Sequence, residues 1–252
     1  VRHEGRAYFV VGGAGGIGSA LVPRLQAEGA RVVAGGRDAA RLAALAHATG
    51  AETVPLDATD GAAVSAALQD ARGRLGRLDG VVNLAGAVLL KPAHLTSDED
   101  WAEQIALNLT TAFNVVRASA QLYAGPPPHG EGRSVVLISS AAARIGLMNH
   151  EAVAAAKAGV QGLALAAAAT YASRGIRVNV VAPGLVRTPL TRRITSSEPA
   201  LRASTAMHAL GRIGEPDDVA SAIAWLLAPE SGFVTGQVVG VDGGLGTLRS
   251  RD

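Results

Sequence analysis

The chain has no cysteine. Disulfides, thiolate nucleophiles and thiolate metal sites are thereby excluded, and a reducing, cytoplasmic setting is expected. Aromatic residues are scarce, at 3%. Hydrophobic residues make up 48% and there are 31 glycines, so the core must be packed closely from small side chains. Lysine is scarcer still: Lys91 and Lys157 stand against 21 arginines. Where only positive charge is wanted, this chain writes arginine. Its charges are interspersed, for a formal net charge of +2, with no basic stripe of the kind nucleic-acid binders use. The residues before Ala7 are too few and too polar to suggest a signal peptide. The longest apolar stretch, Ala158 to Ala172, contains Gln161 and two glycines. It is a poor membrane span and a good buried helix. No metal site and no membrane partner are expected.

What is present is an alternation of short apolar runs and helical periodicity, in a length that suits one α/β domain. Ala7 to Val11 reads as a strand. Gly12, Gly13, Gly15, Gly16, Ile17 and Gly18 follow, and then an apolar-periodic stretch to Glu28. Strand, glycine loop and helix in that order let a pyrophosphate approach the backbone and aim free amides at it. Pro23 falls inside the expected helix, where a kink is predicted. Arg31 to Ala34 reads as a second strand. No carboxylate occupies its first following positions, and Arg37 comes next. That order favours a ribose 2′-phosphate over a free 2′-OH, hence NADP(H) over NAD(H).

Further along, helices are expected over Ala39–Ala48 and Gly61–Leu75, with strands at Val54–Leu56 and Gly80–Leu84. Asp98 to Ala124 reads as one long helix with Asn108 in its middle, and Gly125 to Arg133 as a surface loop. Ser134–Ile138 and Arg177–Val181 read as strands, Asp217–Leu227 as a helix behind Pro216, and Gly236–Val241 as the last strand. The polar, weakly periodic stretch from Leu190 to Gly211 suggests a mobile lid. The predicted architecture is a single doubly wound parallel sheet of about seven strands with helices on both faces.

These marks together resemble the short-chain dehydrogenase/reductase family over essentially the whole chain, from Ala7 to Gly244. Gly12, Gly16, Ile17 and Gly18 match the glycine pattern. Asp57, the Ala85–Gly86 turn, Asn108, the Ser139–Ser140 pair, Lys157, Pro183–Gly184 and Thr188 fall in register. The closing stretch GRIGEPDDVASAIAWLLAPESGFVTGQVVGVDGG is very like the family's. The resemblance implies a Rossmann-like fold, a nicotinamide cofactor and a small-molecule substrate. It implies that Ser140 polarises a substrate oxygen, that Lys157 holds the nicotinamide ribose, and that Asn108 supports a water chain. Asp57 falls on the adenine side. Two departures lie in the cofactor half, where Val11 replaces a usual threonine and Leu84 a usual asparagine.

A third departure is larger. The family's proton-transferring tyrosine falls, by register, on Val153, which neither ionises nor donates a hydrogen bond. Three readings follow. The first is a redox enzyme with another proton donor. His150 is the candidate, seven residues before Lys157 and able to share its helix face. Related enoyl reductases place their tyrosine at about that spacing, and Glu151 is a second candidate. Helix-start capping explains Asn149, His150 and Glu151 equally simply. The second reading is a non-catalytic NADP(H)-binding protein. The third is a lyase or isomerase on the same scaffold. The Ala-rich helix around Lys157 also suits packing against a copy of itself, so a homodimer or homotetramer is expected.

Overall fold

The computed structural model describes residues 1–125 and 132–248. Seven strands form one parallel sheet: β1 (Ala7–Val11), β2 (Arg31–Gly36), β3 (Glu52–Pro55), β4 (Gly80–Asn83), β5 (Ser134–Ile138), β6 (Arg177–Pro183) and β7 (Val238–Val241). Their spatial order is β3-β2-β1-β4-β5-β6-β7. The order reverses between β1 and β4, and such a reversal opens a crevice at the carboxyl ends of the strands.

The central strands must be apolar on both faces, because helices cover both. β1 is the clearest case, buried at all five positions. Ala7, Phe9 and Val11 join one core with Val64 and Leu68 of α3 (Gly61–Leu75), Val115 of α5 (Thr111–Leu122) and Val160 of α6 (Glu151–Tyr171). Tyr8 and Val10 join the other, with Leu21 and Leu25 of α1 (Gly18–Ala27) and Val219 and Ile223 of α9 (Pro216–Leu227). Burying each such large side chain stabilises the fold by roughly 1.5–3 kcal/mol.

The amino ends of the strands are fastened by polar groups. Asp79, just before β4, is almost fully buried. Its carboxylate accepts hydrogen bonds from Arg6 (3.1 Å), from both Nε and Nη2 of Arg77 (2.8 and 2.6 Å), and from the amides of Ala7 and Gly132 (3.0 Å each). Nearby, the buried His3 ring meets Tyr8 Oη through Nδ1 at 2.8 Å.

Several expected boundaries need correction. β2 runs on through Gly35 and Gly36, whose ladder bonds to β1 and β3 override their weak strand propensity. β3 begins earlier, at Glu52, and ends at Pro55; β4 stops at Asn83; β6 extends to Pro183; β7 begins only at Val238. α1 continues unbroken through Pro23. α2 (Ala39–Thr49) and α9 agree with expectation to within a residue. The expected long helix is two helices, α4 (Asp98–Ile105) and α5, joined by a π-helical turn over Ala106–Thr110. The stretch 190–211 is largely helical, with α7 (Arg192–Thr195) and α8 (Glu198–Met207). Most of the Pro-rich loop, 126–131, lies outside the described residues. α6 is long and apolar enough by composition to cross a bilayer. It nevertheless lays a buried face of alanines, Val153 and Val160 on the sheet core, as a core helix does.

Candidate active site

The crevice between β1 and β4 holds a cavity of about 420 Å³. That is enough for much of a dinucleotide. Its floor is the glycine loop, where Gly12 has φ +74°. Its helical wall is the start of α1. The amides of Gly16 and Ile17 carry no backbone hydrogen bond, and the first turn of α1 has no acidic side chain. The positive end of the helix therefore faces the cavity unneutralised, which suits an anion such as a pyrophosphate.

At one end of the cavity stand Arg37, Asp38 and Arg41. Asp38 is spent on the helix, where its side chain accepts the Arg41 amide at 3.0 Å as the cap of α2. Both guanidinium groups are exposed and make no described ion pair. Arg41 was not singled out from sequence, although it follows Arg37 by one helical turn. Asp57 also lines this end. Thr59 donates to its carboxylate from both its amide and its hydroxyl (2.9 and 2.8 Å). Those bonds, with a smaller contribution from Arg37, hold its pKa below the usual carboxylate value. Asn114 of α5 fixes the same turn by donating to the carbonyls of Ala58 and Thr59.

Gly12, Gly16, Ile17, Gly18, Arg37, Asp57, Ala85, Gly86 and Thr188 all line this cavity, as do Leu84 and Val11. Asn83 supplies the polar anchoring beneath it, accepting the Ala85 amide and donating to Thr111 Oγ1. Pro183 does not line it. Gly184 opens instead on a second hollow of about 400 Å³ with His208 and Asp242. His208, also missed from sequence, is buried. Its Nε2 accepts the Leu185 amide at 3.1 Å and its Nδ1 meets Ser204 O at 2.6 Å, tying the end of α8 to the turn after β6.

The residues expected to act on substrate gather at the carboxyl end of β5. The two serines differ in duty. Ser139 is buried and donates to Lys157 O at 2.8 Å while accepting Gln161 Nε2, so it fastens α6 to the strand. Ser140 is half-buried, and among the described residues its Oγ accepts only the Ala142 amide. Its hydroxyl proton remains available to a ligand oxygen. Lys157 Nζ reaches back to Ile138 O at 3.0 Å. Burial pushes its pKa down to about 8. A side chain on Gly86 would place its Cβ 3.2 Å from Nζ and 2.9 Å from Asn108 Oδ1, so the bare glycine lets both groups come up to the cavity wall.

Asn108 sits in the π-helical turn. It accepts the Ala87 amide and donates to both the carbonyl and the side chain of Gln104. A π-turn shifts the helix register by one residue and recurs at functional sites. His150 stands at the amino end of α6 without capping it through its side chain. Its Nδ1 lies 2.7 Å from Met148 O, and no described hydrogen bond joins it to Ser140 or Lys157. Asn149, at φ +63°, accepts the Lys91 amide through its carbonyl. Val153 is buried one turn before Lys157.

A family model described as Enoyl-(Acyl carrier protein) reductase matches residues 12–246. The chain is 36% identical to the 3-oxoacyl-[acyl-carrier-protein] reductase of Thermotoga maritima, covering 97% of this chain and 99% of that protein. It is 34% identical to 3beta-hydroxysteroid dehydrogenase 1 of Eggerthella lenta, covering 96% and 94%. A solved short-chain type dehydrogenase/reductase from Mycobacterium ulcerans superposes with a TM-score of 0.91 at 32% identity, over 100% of this chain and 94% of that one. With this sheet order, this glycine loop and these relatives, the chain belongs to the short-chain dehydrogenase/reductase family of oxidoreductases.

Proposed function

We propose that this chain is an NADP(H)-dependent oxidoreductase acting on a carbonyl/alcohol pair or a conjugated carbonyl, with a proton donor other than tyrosine. The observation that carries the reading is the single cavity that runs from two unpaired arginines, over the free amides of α1, to Gly86 beside Lys157. When bound, the nicotinamide supplies or accepts a hydride. Arg37 and Arg41 bind the 2′-phosphate, the α1 amides bind the pyrophosphate, and Lys157 holds the ribose next to the reacting carbon. Ser140 orients the substrate oxygen with its unspent hydroxyl proton. Asn108 holds the Gly86–Ala87 turn in place beneath them. Thr188 closes the phosphate side, and Pro183–Gly184 shape the turn behind it.

The relatives named above act, by their names, on a 3-oxoacyl-[acyl-carrier-protein] and a 3beta-hydroxysteroid, so the substrate class proposed is a secondary alcohol or its ketone. α7 and α8 with the turns flanking them form the lid over it; Met207 ends α8, and the exposed Leu190 and Leu210 lie in the flanking turns. The exposed Phe113 of α5 and Leu165 of α6 are the apolar patch by which the chain forms a homodimer or homotetramer in the cytoplasm. The buried Val153 favours one rival, a protein that binds NADP(H) without turning it over.

Fluorescence titration with NADPH and NADH, followed by a carbonyl panel, tests the reading. NADPH binding without turnover on any carbonyl leaves the rival; binding of neither nucleotide sinks both. Replacing Arg37 and Arg41 together by serine is expected to weaken NADPH at least roughly tenfold, the loss of one or two charge-assisted hydrogen bonds. NADH affinity should stay within about threefold. Equal weakening of both nucleotides would contradict the assignment of the arginines to the 2′-phosphate.

A further inference from the structure

Reduction of a carbonyl leaves an alkoxide that must take a proton. Few groups near Ser140 can release one. Val153 has none. Glu151 is exposed at the start of α6. His150 meets Met148 O through Nδ1, and no described hydrogen bond joins its ring to Ser140 or Lys157. Lys157 remains, and its surroundings differ from those of an ordinary lysine. It is buried, and no carboxylate pairs with it among the described residues. The other lysine, Lys91, is half-exposed and bonded to Asp100 Oδ2 at 2.5 Å.

Position reinforces this. Nζ spends one N–H on Ile138 O, two residues before Ser140 on the same strand end. On its other side stands Gly86, which also lines the cofactor cavity. The ammonium thus stands against the wall of the cofactor cavity at Gly86, bonded to the last residue of the strand that Ser140 follows. Two of its three N–H groups make no described hydrogen bond. An unpaired buried ammonium gives up a proton readily, and burial here brings its pKa to about 8. Arginine, which this chain otherwise prefers, does not release a proton in this way.

We propose that Lys157 is itself the proton donor of the reduction and the proton acceptor of the reverse oxidation, a role that rests on the oxidoreductase reading above. In the forward step the carbonyl carbon takes a hydride, with its electron pair, from the dihydronicotinamide. The C=O π pair moves onto oxygen, and that oxygen takes a proton from Nζ. The substrate leaves as an alcohol, the nicotinamide is oxidised, and the neutral amine regains its proton from solvent.

Two lysines in the whole chain make the test direct. Protein labelled with ¹⁵N-lysine gives two side-chain resonances, assigned with Lys91→Arg. The Lys157 resonance is expected to titrate with a midpoint near 8, in the protein without nucleotide. A Lys157 still protonated at about pH 10, its ordinary range, overturns the proposal. The wild-type reduction rate should fall as pH rises through the same midpoint, because the protonated form is the donor. The oxidation rate should rise through it. Lys157→Arg keeps a positive charge for the ribose but does not release a proton, so turnover at saturating NADPH is expected to fall roughly 100-fold or more. Unchanged turnover in that variant, or a pH profile that moves instead with His150→Gln, overturns the proposal and leaves the oxidoreductase reading standing. If arginine does not fit the site, the wild-type titration and pH profile decide. Wild-type protein that binds NADPH yet reduces nothing removes the oxidoreductase reading, and this role with it.

Discussion

Gly18→Ala is expected to lower NADPH affinity at least ~100-fold, equivalent to about 2.7 kcal/mol. A Cβ at position 18 would lie 2.4 Å from Gly13 O and 2.6 Å from Gly12 O. Both are backbone atoms, so no side chain can swing away to make room. The glycine loop must lift off the start of α1, and the amides of Gly16 and Ile17 then lose the direction that suits a pyrophosphate. The melting temperature should fall with it. A matched substitution elsewhere separates this from a general effect of replacing glycine. Gly73 is exposed within α3, and a Cβ there meets nothing. Gly73→Ala is expected to leave NADPH affinity unchanged and to stabilise the fold by roughly 0.5–1 kcal/mol through helix propensity. Fluorescence titration and thermal unfolding of the two variants check both statements. Wild-type affinity in Gly18→Ala would mean that the loop does not bind the phosphates.

The second large effect lies at the opposite end of the sheet. Asp79→Ala removes a buried carboxylate that serves two arginines and two backbone amides. Arg6 and Arg77 lose their shared counter-ion, and the Ala7 and Gly132 amides lose an acceptor in a place with little water. Breaking a buried charge cluster from one side costs about 3–5 kcal/mol. For a domain of this size that is a drop of roughly 10 °C in melting temperature. Asp79→Asn keeps the shape and one acceptor oxygen and should lose about half as much. Below the transition, NADPH affinity of both variants should match wild type, since the cavity is at the other strand ends. Urea unfolding with nucleotide titration tests this. A loss of affinity as large as that of Gly18→Ala would show that the two ends are coupled.

Much of the fold can be read from residues alone because its central strands are apolar on both faces. β1 stands out as a run of apolar and aromatic residues and β5 as four aliphatic residues after Ser134, and their limits are as expected. Where the reading failed, the deciding contact was distant in sequence. Gly35 belongs to β2 because Phe9 of the neighbouring strand packs where a side chain would be; a Cβ there would meet the ring at 3.0 Å. The π-helical turn over Ala106–Thr110 has ordinary helix-forming residues. The π turn is a feature of the backbone, and it carries Asn108, whose side chain bonds to Ala87 and Gln104. At the site, the glycine loop, Arg37 and Asp57 line one cavity; the first two were expected from the order of residues, Asp57 only from the family resemblance. The family register singles out Ser140 of the two serines, and packing gives Ser139 a separate duty, fastening α6, while the Ser140 Oγ accepts the Ala142 amide. His208 carried no signal, since a histidine in a polar stretch is ordinarily solvated.

The polar fastenings of this sheet, the Asp79 cluster and the His3–Tyr8 contact, lie where the strands begin. Ser140, Gly86 and the lysine amine lie where the strands end or beyond. Inheritance of the fold and inheritance of the chemistry are thus entrusted to different residues. A lineage can exchange the reactive groups at one end by small steps without first losing a chain that folds. Substitution at positions such as 140 and 150 is therefore expected to change the chemistry of the crevice while leaving the Asp79 fastening, and with it the fold, intact.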